Sequence, residues 1–163
     1  MKKSKKQNII LASIAIIIVV AIAGYNYSVD QTKQKGFKFG NDLQKIQEDL
    51  KQLQIEFDSQ VTQWKEEDLT KQELLEYSKT HIEKLQSLIL KYDELTPPKQ
   101  FSPSVELFKL STQSQLDSDS EFIEWIKTND TSHKIRSDSL LQESFEYETS
   151  ALGEFNAEKA GLR

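Results

Sequence analysis

Residues that break regular secondary structure are rare in this sequence and lie in a few places. The three prolines, Pro97, Pro98 and Pro103, lie close together in the middle of the chain, and residues 41–96 and 104–152 contain neither proline nor glycine. Long stretches without such residues favour helices over strands. The sequence therefore predicts an all-α fold that is divided at the proline cluster.

A regular apolar repeat predicts the first helix, which we expect to begin at Asn41 and to end near Glu67. Asn41 can cap the helix, with Gln44 reaching back to it as in a capping box. Apolar side chains at alternating spacings of four and three residues form a heptad stripe. Such a stripe fits an intramolecular bundle or a coiled coil between chains, and the broader stripes of the later helices favour the bundle. The stripe consists of Phe39, Leu43, Ile46, Leu50, Leu53 and Phe57.

Capping residues and prolines delimit the second and third helices. Thr70 and Glu73 form a capping box at the start of helix two. Pro97 ends that helix, because the residue before a proline is pushed out of helical geometry. Ser102 is the expected cap of helix three, with Pro103 at its first helical position, where a missing N–H costs nothing.

A fourth helix, expected over residues 132–158, completes the predicted fold. About four helices joined by short connections should pack as an antiparallel up-down bundle. We therefore predict a helical bundle over residues 41–160.

The N-terminal segment has the composition of a membrane span. Ile9 to Ala23 are apolar apart from Ser13, and each Ile, Leu or Val favours insertion by about 0.3–0.6 kcal/mol. As a helix, residues 9–28 would cover about 30 Å, the thickness of the hydrocarbon core. Four lysines precede the run, and cationic residues stay on the cytoplasmic side. The predicted order is a cytoplasmic basic tail (1–8), a transmembrane signal-anchor helix (9–28), a juxtamembrane linker (29–40) and an extracytoplasmic bundle (41–160).

A cleaved signal peptide is the alternative interpretation of this segment. Ala21-Ile22-Ala23 has the small residues of a cleavage site and follows a basic start and an apolar run. Against cleavage, no polar or helix-breaking residue separates the run from that site. We favour a single-pass protein of the cell membrane with its N-terminus in the cytoplasm. Cleavage after Ala23 would instead give a secreted bundle.

The exported part is acidic and contains no cysteine. The chain has 21 Lys and Arg against 26 Asp and Glu, and four of the lysines precede residue 7, which leaves 17 basic residues and a formal charge of −9 for the rest. Nucleic acids require a basic surface, so we expect no nucleic-acid partner. The lack of cysteine excludes disulfides, thiolate zinc sites and cysteine nucleophiles.

No motif of catalytic or metal chemistry is complete. The segment DSDSEF (117–122) begins like a calcium loop, but Phe122 stands where the loop needs glycine and Thr128 where it needs glutamate. We therefore expect that segment to be a solvated helix surface. A di-iron bundle needs Glu-x-x-His twice, and neither His81 nor His133 has it. We expect no catalytic residue, no cofactor and no metal.

A polar wall inside the bundle is the remaining candidate for a ligand site. Ser111, Ser114 and Ser118 lie on adjoining turns of helix three, where small side chains either permit close helix packing or line a cavity. His81 shares the heptad of the apolar residues of helix two, so we expect it at the edge of the core. Glu148 lies beside the stripe of helix four, either at its rim or as a buried carboxylate that recognises a ligand.

One surface residue is a candidate for covalent modification. Asn129-Asp130-Thr131 is an acceptor sequence for N-glycosylation in a predicted exported turn. A second acceptor sequence, Asn26-Tyr27-Ser28, abuts the membrane. Asn129 is therefore the expected acceptor.

The stretches PPKQFSPSVELFKLS, EFIEWIKTND and SFEYETSALGEF resemble those of small membrane-anchored proteins of uncharacterised role, which are numerous in archaea such as ammonia oxidisers. The resemblance covers roughly residues 97–160. It implies an exported helical domain and no particular activity.

These features favour a non-enzymatic interaction or scaffold module over an enzyme. We expect the protein to be held in the membrane by residues 9–28 and to bind another envelope protein or a second copy of itself. The alternative is an extracytoplasmic, sensor-like bundle that binds a ligand.

Overall fold

The computed structural model describes residues 33–161, which form four α-helices and, within that range, no strand. This confirms the predicted all-α bundle of four helices. The expected membrane span over 9–28 lies outside the described residues. None of the described helices combines the length and the apolar character that a membrane span needs. The helices are α1 (Lys33–Lys65), α2 (Lys71–Asp93), α3 (Ser102–Thr128) and α4 (Thr131–Lys159), with a short 3-10 helix (Lys99–Phe101) before α3.

The first helix begins eight residues earlier than its predicted cap, and Phe39 in this added part is packed into the core. Phe39 is 1% exposed and its ring lies 5.9 Å from that of Phe101. Burying a phenylalanine contributes roughly 1.5–3 kcal/mol, which exceeds the cost of about 1 kcal/mol for a glycine such as Gly40 inside a helix. The expectations of a cap at Asn41 and of a linker over the whole of 29–40 are therefore wrong from Lys33 onward.

Local capping groups set the starts of α2 and α4. The Thr70 side chain accepts a hydrogen bond from the backbone N–H of Glu73, and the Glu73 carboxylate accepts one from the Thr70 N–H, which confirms the capping box. At α4, the Asp130 carboxylate accepts from the Ser132 N–H. For α3 the expected cap was wrong: Phe101 precedes the helix, and Ser102 is its first residue.

Two groups of buried residues show that neighbouring helices run antiparallel. Phe39 from the start of α1 and Phe155 from the end of α4 belong to one cluster, which also holds Tyr92 from the end of α2 and Phe101. We call this the termini end of the bundle. The opposite end, called the turn end, buries residues next to the α1–α2 and α3–α4 connections. These are Phe57, Val61, Leu74, Ile123 and Ile126.

Candidate functional site

A buried carboxylate stands at the centre of a polar group in the core. Asp119 on α3 is 6% exposed, and both of its oxygens accept hydrogen bonds. Oδ2 accepts from Gln54 Nε2 of α1 at 3.2 Å and bonds His81 Nε2 of α2 at 2.9 Å. Oδ1 accepts from Gln115 Nε2 at 2.9 Å. We call these four residues the Asp119 cluster, and it links α1, α2 and α3.

The histidine of this cluster lies deeper than the sequence indicated. His81 is 1% exposed, and its ring stacks on Phe57 at 4.2 Å with an interplanar angle of 5°. Because the Asp119 carboxylate can only accept, the proton of that hydrogen bond belongs to His81 Nε2. The other ring nitrogen, Nδ1, is buried and has no hydrogen-bond partner among the described residues. The expectation of a histidine at the core edge is wrong, because the hydrogen bond to Asp119 satisfies Nε2 inside the core.

The expectation of a solvated surface for DSDSEF fails at Asp119 and Ser118, both of which are buried. Two helical residues separated by two positions point about 200° apart, so they cannot both face water when the helix lies against a core. Asp117 faces outward and accepts from Gln113, whereas Asp119 faces inward. Spacing alone did not tell which of the two aspartates would be the buried one.

A second polar group lies nearer the termini end, around Tyr92. Its hydroxyl accepts from Gln47 Nε2 at 2.7 Å and lies 2.9 Å from Thr112 Oγ1. Thr112 donates its own proton to the Phe108 carbonyl, so the Tyr92 hydroxyl is the donor to Thr112. Burial raises the pKa of Tyr92. This group is therefore a neutral, fully bonded network.

Glu148 on α4 lies at the rim of the core, which is the first of its two expected positions. It is partly buried and has no hydrogen bond or ion pair among the described residues. Burial raises the pKa of Glu148 to about 7. Its negative charge adds to the effect of burial in raising the pKa of Tyr92. Asp138, the other carboxylate beside the stripe of α4, is exposed and pairs with Lys134. Glu148 therefore carries its proton over much of the acidic range.

Asp58 on α1 was not singled out from the sequence, although its environment is unusual. It lies one helical turn beyond Gln54 and next to Phe57, which are the two α1 residues that contact Asp119 and His81. Burial and, second, repulsion by Asp119 raise its pKa to about 6, while Lys65 and His81 act in the opposite direction. Its spacing from Gln54 could have placed it beside the cluster only if the role of Gln54 were known.

The serines of the expected pocket wall lie at a helix–helix contact. Ser144 Oγ of α4 donates to the Ser111 carbonyl at 2.9 Å, and Ser118 Oγ donates to the Ser137 carbonyl at 2.8 Å. Hydroxyls can reach the carbonyls of a neighbouring helix only when the two backbones lie close together. Of the two interpretations of these small residues, close packing therefore applies to Ser111 and Ser118. Ser114 is buried as well.

An open cleft lies elsewhere on the described bundle, between α1 and α2. It encloses about 510 Å³. None of the residues expected for the polar wall lines it. Its charged lining includes the Asp49–Lys91 ion pair, whose atoms are 2.9 Å apart, together with Glu56, Glu83 and Lys84.

Asn129 is exposed in the connection between α3 and α4, at the turn end. Its backbone is left-handed (φ 61°), and it ends α3. The residues on either side of it belong to helix termini, so the acceptor sequence lies in a turn, as expected. Its glycosylation stays a prediction.

The chemistry available to these groups is limited. Within residues 38–161, no group of three or more His, Asp or Glu side chains could hold a metal ion. The interior groups can bind and release protons, because Asp58 and Glu148 both have raised pKa values. The Asp119 cluster also fixes three helices relative to one another.

The sequence matches no protein-family model, no curated protein and no solved structure. The resemblance to small membrane-anchored archaeal proteins therefore stays a prediction.

Proposed function

We propose that the protein is a membrane-anchored, extracytoplasmic interaction module without catalytic activity, and that its bundle binds an envelope protein or a second copy of the chain. The observation that carries the proposal is the early start of α1. Lys33 follows the expected span over 9–28 by only a few residues, so the termini end would lie against the membrane. A helix of 33 residues is about 50 Å long and would hold the turn end well away from the bilayer.

The charge of the bundle supports a basic partner rather than a lipid surface. Residues 137–158 of α4 include six acidic residues and no Lys or Arg. Such a face is repelled by anionic lipid and attracts Lys- or Arg-rich surfaces. The exposed acidic residues of this face are Asp138, Glu143 and Glu146, whereas Glu148, Glu154 and Glu158 are partly buried.

A sensor-like, ligand-binding bundle is the second candidate, and the buried polar groups favour it. A core held together by hydrogen bonds to Asp119 has a more specific geometry than an apolar core. A ligand that changes the charge near Asp119 could therefore change how the helices pack. If the chain is cleaved after Ala23, the same bundle would act as a secreted protein.

Site-specific photocrosslinking in intact cells tests the interaction. A photoreactive amino acid replaces exposed Glu146 on the acidic face of α4, and exposed Gln86 on α2 serves as the matched control position. We expect one discrete adduct from position 146, identified by mass spectrometry as a second copy or as an envelope protein with a basic surface. The adduct should not form when the cells are irradiated in high salt. A monomer without an adduct from either position would contradict the proposal.

A further inference from the structure

The donors of the Asp119 cluster are all used by Asp119, which leaves none of them for a second carboxylate beside it. Asp119 itself accepts three hydrogen bonds, from Gln54, His81 and Gln115, and each of these partners is a donor. Both oxygens of the Asp119 carboxylate are therefore occupied as acceptors. The interior position between α1, α2 and α3 therefore already contains one carboxylate, and it uses the donors around it.

Asp58 is the second carboxylate at this position, and it lacks comparable partners. Residues four apart on a helix lie on the same face, so Asp58 lies on the side of α1 from which Gln54 reaches Asp119. Among the described residues it has no hydrogen bond and no ion pair. The charged groups that act on it are Asp119 of α3, His81 of α2 and Lys65 of its own helix.

Burial and repulsion by Asp119 outweigh the attraction of His81 and Lys65, so the pKa of Asp58 rises from 3.8 to about 6. The proton is therefore bound in the folded chain under conditions in which the unfolded chain has released it. A neutral Asp58 leaves Asp119 as the one anion beside His81. An ionised Asp58 puts two like charges on facing sides of the α1–α3 contact, which is unfavourable in a partly buried site.

We propose that Asp58, Asp119 and His81 form a proton-binding site between α1, α2 and α3, and that loss of its proton loosens α1 from the rest of the bundle. The proton is carried by the Asp58 carboxyl, while Asp119 and His81 keep their mutual hydrogen bond. The site lies wholly within the described bundle, so it does not depend on where that bundle stands in the cell or on what it binds.

The direction of the pH effect follows from proton linkage. A group whose pKa is raised by folding contributes stability that is fully present below its unfolded pKa and is lost as the pH rises through its folded pKa. For Asp58 this range runs from 3.8 to about 6. A difference of about two pKa units corresponds to a roughly 30–100-fold increase in the unfolding equilibrium constant across that range.

Infrared difference spectroscopy of the full-length protein in detergent micelles detects the proton directly. In a Glu148→Gln background, which removes the other carboxyl with a raised pKa, we expect a protonated-carboxyl band that titrates with a midpoint near the Asp58 pKa of about 6, and its loss in Asp58→Asn. The matched control is Asp68→Asn, at an exposed aspartate of the α1–α2 connection, and it should leave that band unchanged. A band at that midpoint that persists in Asp58→Asn would overturn the assignment of the proton to Asp58.

Amide hydrogen exchange of the same samples tests the loosening of α1. After correction for intrinsic rates, we expect amides around residues 54–61 to exchange up to about tenfold faster at roughly pH 8 than at pH 5, relative to those of α3. Asp58→Asn should remove most of that difference, and Asp68→Asn should retain it. Equal protection of α1 at both pH values in the wild type would refute the proposed loosening, even if the infrared band were present.

Discussion

The imidazole Nε2 of His81 donates to Oδ2 of Asp119 across 2.9 Å, and both residues are buried. This bond joins the middle of α2 to the middle of α3, and Gln54 extends it to α1. An isolated charge is costly in an apolar core, whereas a bonded one fixes the register of the helices that supply its partners. The cluster is therefore the feature of the core whose geometry is most easily disturbed by substitution.

Removal of the Asp119 carboxylate should strongly destabilise the bundle. In Asp119→Ala three buried donors lose their acceptor, and we expect the free energy of unfolding to fall by about 3–5 kcal/mol. Urea unfolding of the full-length protein in micelles measures this change. Asp117→Ala, two residues away and exposed, should cost less than about 0.5 kcal/mol. Equal effects of the two substitutions would mean that the cluster does not hold the helices together.

Glu148→Gln should stabilise the bundle at neutral and higher pH. Folding raises the Glu148 pKa from 4.5 to about 7, so its contribution to stability is present below pH 4.5 and is lost as the pH rises through 7. Glutamine cannot ionise and should raise the free energy of unfolding by about 1–3 kcal/mol at roughly pH 8, with little change at about pH 4.

Two controls isolate the effect of Glu148. Exposed Glu143→Gln on the same helix should leave the pH profile as it is. Glu121 raises the pKa of His133, which contributes in the same direction, so the comparison is repeated in a His133→Asn background. A Glu148→Gln profile parallel to that of the wild type would show that Glu148 ionises freely in the folded chain.

The contact between α3 and α4 should not tolerate a large side chain. Ser144 bonds the Ser111 carbonyl across this contact, and a leucine at position 144 would push the two helices apart. We expect Ser144→Leu to cost about 1–3 kcal/mol, a typical cost of overpacking. Ser139→Leu, on the exposed face of α4, should be nearly neutral in the same unfolding assay. Equal tolerance at both positions would contradict close packing.

Phe39→Ala tests whether the core includes the segment before Asn41. The ring packs on Phe101 at the termini end, and its removal should cost about 3–5 kcal/mol. Ile55→Ala, at a half-exposed position of the same helix, should cost less than about 1 kcal/mol. A neutral Phe39→Ala would support a linker up to Gly40.

Helix starts that depend on local groups could be predicted, and those that depend on distant contacts could not. Thr70 and Glu73 are three residues apart, so their capping box is visible in the sequence, and α4 begins within one residue of its expected start. The start of α1 depends on the contact of Phe39 with Phe101. No local pattern reports a partner on another helix.

The interior polar groups were missed for a related reason. The heptad placed His81 on the inner side of α2, but it could not show that Asp119 stands opposite. The serines of α3 were recognised as small residues that either permit close packing or line a cavity. The choice between the two depends on their hydrogen bonds with α4, which the sequence does not show. Asp58 belongs to no sequence motif that would have singled it out. Its raised pKa arises from burial and from repulsion by Asp119, and both depend on the folded structure.

Labelling of single cysteines in intact cells tests most directly whether the bundle is anchored and lies outside the cytoplasm. The chain has no cysteine, so Asp68→Cys at the turn end and Ser4→Cys in the basic tail each give one reactive thiol. We expect a membrane-impermeant maleimide to label Asp68→Cys in intact, washed cells, and Ser4→Cys only after lysis, with both proteins at full-length mass in the membrane fraction. Labelling of Asp68→Cys only after lysis, or a protein that begins at Gly24 in the medium, would contradict the anchored extracytoplasmic module.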